Sequence, residues 1–263
     1  MQTWQTYAAE TYGTFVLVLF GTGAILATGG DPVGIAFGFG LALVAGLYTV
    51  GRVSGGHFNP AVSLGAFLDR RIELNQMLAY WVFQLVGAVL ASLSLALVTS
   101  KDTVAATVTA LHPEVEAFQG FFWEMLMTAV FVTAILVLAK KGTRPRWLGI
   151  GLVLTAVHLA AVGISGASVN PARSFGPALV SGEWTDIWVY IVGPVAGAIV
   201  AWVLYKVIIT GDLDFTVGST AAAKPAPASK PATAAKRPAT AKKPAAKKLP
   251  ARAGAAKKPA AKK

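Results

Sequence analysis

Ser168-Val169-Asn170-Pro171-Ala172-Arg173-Ser174 and its earlier echo, His57-Phe58-Asn59-Pro60-Ala61-Val62-Ser63, decide how this chain is read. Each opens like a helix, with Asn at the N-cap, Pro at the first helical position and a short apolar run behind them. The first run meets Asp69-Arg70-Arg71 and the second meets Pro177. Neither helix therefore exceeds about two or three turns, which is too short to cross a bilayer alone. A half-helix at membrane depth is tolerated only where it is buried in protein or lines a water-filled cavity. Two of them, one in each half of a duplicated chain, point to a pore.

Working outward, six apolar segments of spanning length lie at roughly 7–28, 33–53, 75–99, 118–139, 147–164 and 186–209. The half-helices fall between the second and third and between the fifth and sixth. The expected architecture is an all-α membrane protein with six transmembrane helices and two re-entrant half-helices. Small residues such as Gly34, Gly38, Gly40, Gly46 and Gly87 suit close helix contact in lipid.

The chain repeats internally. Ser54-Gly55-Gly56-His57-Phe58-Asn59-Pro60-Ala61 matches Ser165-Gly166-Ala167-Ser168-Val169-Asn170-Pro171-Ala172, and Glu10 opens the first span as Glu124 opens the fourth. Tyr80 with Gly87-Ala88 mirrors Tyr190 with Gly197-Ala198. Repeat one covers 1–115 and repeat two 116–216. Each holds three spans, an odd number, so the two insert in opposite directions and place their shared site near the bilayer midplane.

The chain has 263 residues, 55% hydrophobic and 13% charged, a membrane-protein composition. Its net charge of +11 belongs to the tail: residues 221–263 hold thirteen Lys/Arg and no acid, leaving ten Lys/Arg against twelve Asp/Glu in residues 1–220. Residues 1–216 read as the channel domain. Residues 217–263, rich in Lys, Ala and Pro without an apolar face, read as a disordered tail. Its expected partners are anionic lipid or another polyanion such as nucleic acid. With no cysteine, thiol chemistry and Cys-based metal sites are excluded. No nucleophile–base set, metal-ligand cluster or phosphate loop supports an enzyme, and no cofactor is implied. The segment Thr11–Thr28 lacks a basic lead and reads as a retained span, not a signal peptide. Basic connections at Asp69-Arg70-Arg71 and Lys140–Arg146 predict that both termini face the cytoplasm.

At these residues the chain resembles the major intrinsic protein family, the aquaporins and aquaglyceroporins. The resemblance covers about residues 7–210 and rests on both Asn-Pro-Ala triplets, the repeat, and Arg173 directly after the second triplet. It implies an aquaporin-like fold, a homotetramer with one pore per subunit, and a passive channel in a cell (inner or plasma) membrane. It further implies a water-selective bacterial type, whose narrowest ring here is Phe39, His158, Ala167 and Arg173. Ser174, Ala178 and Tyr190 also follow the water-channel pattern, whereas Ile191 stands where the subgroup carries Trp. Ala167 replaces the Thr or Cys of many water channels, so the ring is expected to be slightly wider and less polar. The alternative is a facilitator of glycerol or another small neutral solute, such as peroxide or ammonia.

Physical reasoning on the same residues agrees with that role. If the side-chain oxygens of Asn59 and Asn170 cap their own half-helices, their NH2 groups face the lumen as donors. Two positive helix ends then meet at mid-depth and repel cations. Arg173 is unfavourable both near a helix N-terminus and within a membrane, so it reads as functional. Glu10 and Glu124 read as acceptors for loop amides behind each half-helix, in preference to a proton relay. His57 reads as vestibule lining. A coupled transporter built on Glu10, Glu124 or His57, and a nucleic-acid binder built on the tail, are the competing classes.

Overall fold

The computed structural model describes residues 3–139 and 146–217. The basic connection expected at Lys140–Lys141 and Arg144, and the tail expected from residue 218 onward, lie outside the described residues. Six long helices form: α1 (Thr3–Ala27), α2 (Pro32–Ser54), α4 (Leu74–Val98), α6 (Ala117–Leu138), α7 (Arg146–Ser165) and α9 (Ile187–Leu204). A π-helical turn, Tyr205–Thr210, extends α9. All six are long and apolar enough to cross a membrane, and no strand occurs among the described residues. Side chains such as Leu41, Val82, Leu97 and Val130 stay exposed on their outer faces, as lipid-facing positions do.

Three helices are short. α3 (Pro60–Leu68) and α8 (Pro171–Ser181) are the half-helices, and α5 (Lys101–Ala105) follows α4 behind a Ser100 cap. At about 1.5 Å per residue, α3 and α8 rise about 14 and 16 Å, each roughly half of a hydrocarbon core. Pro177 does not end α8, which runs through it to Ser181. Gly176 is pressed on the Ala88 backbone there, so packing holds the turn although the proline donates no hydrogen bond. The helix stops where Gly182 turns left-handed at φ 85°, a conformation open to glycine.

Duplication shows in the packing. A Cβ at Gly87 would lie 2.3 Å from the Thr11 carbonyl oxygen, and one at Gly197 2.5 Å from that of Met125. Thus α4 closes on α1 as α9 closes on α6, with backbones in contact because a hydrogen replaces a side chain. Across the repeats, Gly40 of α2 and Gly151 of α7 meet in the same way, each against the other's carbonyl. This scaffold holds α3 and α8 in its interior, where Ala61 and Ala172 are wholly buried.

On the side where α3 ends, Arg71 reaches the Leu136 carbonyl of α6 at 2.6 Å and pairs with Asp69 at 2.8 Å. The segment beyond α9 returns to the same corner. There Arg70 hydrogen-bonds Thr216, and Phe215 stands edge-on to Trp202.

Candidate functional site: a constricted pore between two half-helices

Each half-helix is seated on a buried carboxylate. Glu10 and Glu124 are each the eighth residue of their helix, α1 and α6. Glu10 accepts from the backbone N–H of His57 at 3.0 Å and of Phe58 at 2.7 Å. Glu124 accepts from Ser168 at 2.9 Å and Val169 at 2.7 Å. These four amides belong to loops too irregular to bond among themselves, so each needs an acceptor from elsewhere in the protein. Gln84 also donates to Glu10 at 2.8 Å, and Ser165 to Glu124 at 2.6 Å.

Phe58 and Val169, the last residues before the triplets, are both left-handed, at φ 51° and 45°. That strain turns the chain sharply enough to begin each helix at mid-depth. Asn59 then caps α3 by accepting from Ala61 at 2.8 Å, and Asn170 caps α8 by accepting from Ala172 at 3.0 Å. The NH2 groups do something the sequence did not disclose. Asn59 donates to the Val169 carbonyl at 2.7 Å, and Asn170 donates to that of Phe58 at 3.0 Å. Each carboxamide thus clasps the opposite repeat with one hydrogen and retains one more, because an amide nitrogen carries two. Pro60 and Pro171 occupy the first helical position on either side of this clasp, their missing N–H costing nothing there.

Both asparagines border a narrow cavity of about 10 Å³, close to the space one water centre needs. Phe39, His158 and Arg173 border it too. The Phe39 and His158 rings stack with centroids 4.6 Å apart, and the Arg173 guanidinium carbon sits 4.9 Å from the Phe39 centroid. His158 Nδ1 lies 3.0 Å from the Leu154 carbonyl, which can only accept, so Nδ1 carries the hydrogen. Among the described residues, His158 Nε2 and Arg173 Nε have no hydrogen-bond partner. Arg173 Nη1 donates to the Thr107 carbonyl at 3.1 Å, and among the described residues its guanidinium has no carboxylate partner. Ala167 is buried and left-handed at φ 50° but does not border this cavity, its methyl being the shortest side chain of the four expected at the ring.

The narrow cavity shares Leu43, His57 and Phe131 with a vestibule of about 460 Å³ that also reaches Arg71 and Trp147. The wide cavity and the narrow one thus adjoin at these three residues, with the two half-helix tips and the aromatic–arginine cluster on the narrow side.

Comparison with known proteins shows the family and agrees with the fold. Residues 1–205 match the model of the family described as major intrinsic protein. The chain belongs to the major intrinsic protein family. It is 34% identical over 223 residues to aquaporin-4 of Mus musculus, covering 80% of this chain and 69% of that one. It is 37% identical to glycerol uptake facilitator protein-like 6 of Lactiplantibacillus plantarum, over 74% of this chain and 94% of that protein. Aquaporin TIP1-2 of Zea mays is 38% identical over 82% of this chain and 90% of its own. The aquaglyceroporin of Plasmodium falciparum superposes with a TM-score of 0.73 at 25% identity, over 80% of this chain and 98% of that structure. As a major intrinsic protein, the chain is a multi-pass membrane channel passing water or small solutes, and not an enzyme.

Sequence reasoning did not foresee the contribution of the connection between the repeats. The turn after α5 supplies the Thr107 carbonyl to Arg173 and the Thr109 hydroxyl to Ser174 at 2.9 Å. Threonines in a loop carry no motif, and neither has a counterpart in the duplication, so nothing in the sequence singled them out.

Proposed function

We propose that this major intrinsic protein is a passive water channel that excludes protons and ions. The observation that supports it is the narrow cavity of about 10 Å³ bounded by Phe39, His158 and Arg173, directly beside the two asparagines. A solute entering in single file leaves its hydration shell, and the wall must replace those hydrogen bonds. Arg173 offers donors. His158 Nε2, with the hydrogen on Nδ1, offers an acceptor in the neutral ring. Phe39 gives bulk alone and limits the width. A molecule broader than water must push apart rings already in contact.

At the midplane the remaining hydrogens of Asn59 and Asn170 bind the oxygen of a passing water, turning its own hydrogens away from the centre. That orientation interrupts a proton wire. The N-terminal ends of α3 and α8, each carrying about half a positive charge, oppose cations at the same point. Arg173 adds a full charge one turn further along. Glu10 and Glu124 act as scaffolding, each occupied by backbone donors on both oxygens. We further infer four copies per assembly and cytoplasmic termini in the inner or plasma membrane, with the basic tail near anionic lipid.

Stopped-flow light scattering on reconstituted vesicles tests the reading, with wild type beside Arg173→Ala and His158→Ala. Wild type is expected to pass water and refuse glycerol and urea. Both variants should still pass water but admit the larger solutes. Rapid glycerol entry through wild type would turn the reading to a solute facilitator, and unchanged selection in both variants would remove the ring from its role.

A further inference from the structure

We propose that Thr109 is a positioning residue for the constriction, acting through a one-way chain of hydroxyls that sets the first turn of α8. The inference rests on the ring assignment above and extends it to the connection between the repeats. Thr109 Oγ1 lies 2.9 Å from Ser174 Oγ, Ser174 Oγ 2.6 Å from Ser168 Oγ, and Ser168 Oγ 3.0 Å from the Asn170 carbonyl. All three hydroxyl residues are buried, at 2%, 0% and 1% exposure, so bulk water does not make good a lost hydrogen bond.

Hydrogen counting gives the chain its direction. The Asn170 carbonyl can only accept, so Ser168 donates its one hydrogen there. Ser174 must then be the donor in the contact with Ser168, which leaves Ser174 Oγ an acceptor towards Thr109. Thr109 is therefore the head of the chain, the donor on which the acceptor-fixed direction ends. The chain ends on Asn170, whose carboxamide caps α8 and clasps Phe58. Ser174 itself directly follows Arg173. The same connection holds the Arg173 guanidinium through the Thr107 carbonyl and lies against Gly166, where a Cβ would come within 3.1 Å of Ala110 backbone atoms. It also ties to the end of α7 through the His112 amide and the Ile164 carbonyl at 2.9 Å. Backbone contacts fix where the connection sits. The Thr109 hydroxyl converts that placement into a definite orientation of the turn bearing Arg173.

The test measures glycerol and urea permeability relative to water, in vesicles at matched protein content, for Thr109→Val, Thr109→Ser, Ser174→Ala and Arg173→Ala. Valine keeps the shape and removes the hydroxyl. Thr109→Val and Ser174→Ala are expected to raise the solute-to-water ratio about fivefold, the factor set by one ordinary buried hydrogen bond. Thr109→Ser should hold the wild-type ratio. A shift in Thr109→Ser equal to that in Thr109→Val would overturn the proposal, because side-chain packing and not the hydroxyl would be responsible. Wild-type ratios in Thr109→Val and Ser174→Ala, with Arg173→Ala raised, would overturn it and leave the ring standing. An unchanged Arg173→Ala would bring down the ring and this proposal together. If Thr109→Val does not incorporate, Ser174→Ala decides alone: a wild-type ratio there refutes the chain.

Discussion

The first half-helix starts below a vestibule of about 460 Å³, while the second carries Arg173 into a cavity of about 10 Å³, although both stand on the same kind of bracket. In each, one carboxylate takes two loop amides, a left-handed residue precedes the triplet, and an asparagine caps its own helix while clasping the other repeat. The serine inside the first turn is where they part. Ser63 is held by Gln84 of α4 at 3.0 Å and by the His57 ring at 3.1 Å, so a spanning helix of the same repeat secures it. Ser174 is held by Ser168 and by Thr109, which lies in the connection between repeats. The shared parts build the junction, and the unshared parts decide what passes. A duplicated fold can thus keep one end as a funnel and make the other a filter by placing Arg173 where the first repeat has Val62 and by changing what holds each first turn.

The largest effect should come from breaking the shared bracket. Glu10→Ala leaves the buried Phe58 amide, the half-buried His57 amide and one of the two Gln84 amide hydrogens without an acceptor, and Glu124→Ala leaves two buried amides and the Ser165 hydroxyl. An orphaned buried donor costs about 1–3 kcal/mol, so each variant is expected to lose about 4 kcal/mol of stability. Thermal unfolding in detergent reads this out. Near-equal losses are expected, and a loss confined to one of the pair would show that the two seats are not energetic equivalents.

Next in size are the glycines that bring the helices together. Gly87→Ala and Gly197→Ala each force a methyl group onto a backbone carbonyl that belongs to another helix and cannot swing away. Each should cost about 2 kcal/mol, within the range for overpacking. Gly163 has open space where its Cβ would stand, so Gly163→Ala should be neutral or slightly stabilising. Recovery of monodisperse protein and the melting temperature separate the three. Equal behaviour of Gly87→Ala and Gly163→Ala would show that the close approach of α1 and α4 has slack.

Gly87 and Gly197, the triplets and the paired glutamates were legible in the sequence because duplication prints them twice at matching places. Phe39 and His158 were reached differently, by counting from the triplets along a family pattern, and the structure brings both against Arg173. Ala167 was reached in the same way and lies off the cavity wall, since counting locates a backbone and not the reach of a methyl group. The reciprocal clasp was hidden for another reason. Its acceptors are the carbonyls of Phe58 and Val169, and a backbone atom has no letter in the sequence. Helix α5 and the Thr107–Thr109 turn escaped because a short polar connection has no periodicity to read. Pro177 looked like a stop, yet packing of Gly176 on α4 carries the helix through it.

The smallest effect sharpens the comparison most. His57→Ser makes the first seat resemble the second, since Ser168 occupies the equivalent place. The imidazole leans edge-on against Tyr80 with centroids 5.1 Å apart and borders both the vestibule and the narrow cavity. Removing it widens the funnel and the mouth of the narrow cavity but leaves Phe39, His158 and Arg173 in place. Two resistances in series are governed by the narrower, so water permeability should stay within about twofold of wild type and glycerol should remain excluded. Glu10 keeps its bonds to the backbone amides of residues 57 and 58 whatever side chain stands at 57, so the bracket is undisturbed. Stopped-flow shrinkage with an impermeant osmolyte, followed by glycerol, measures both quantities. A large rise in water flow would place the limiting step at the funnel. The first half-helix would then share in selection, and the division between funnel and filter would have to be redrawn around His57.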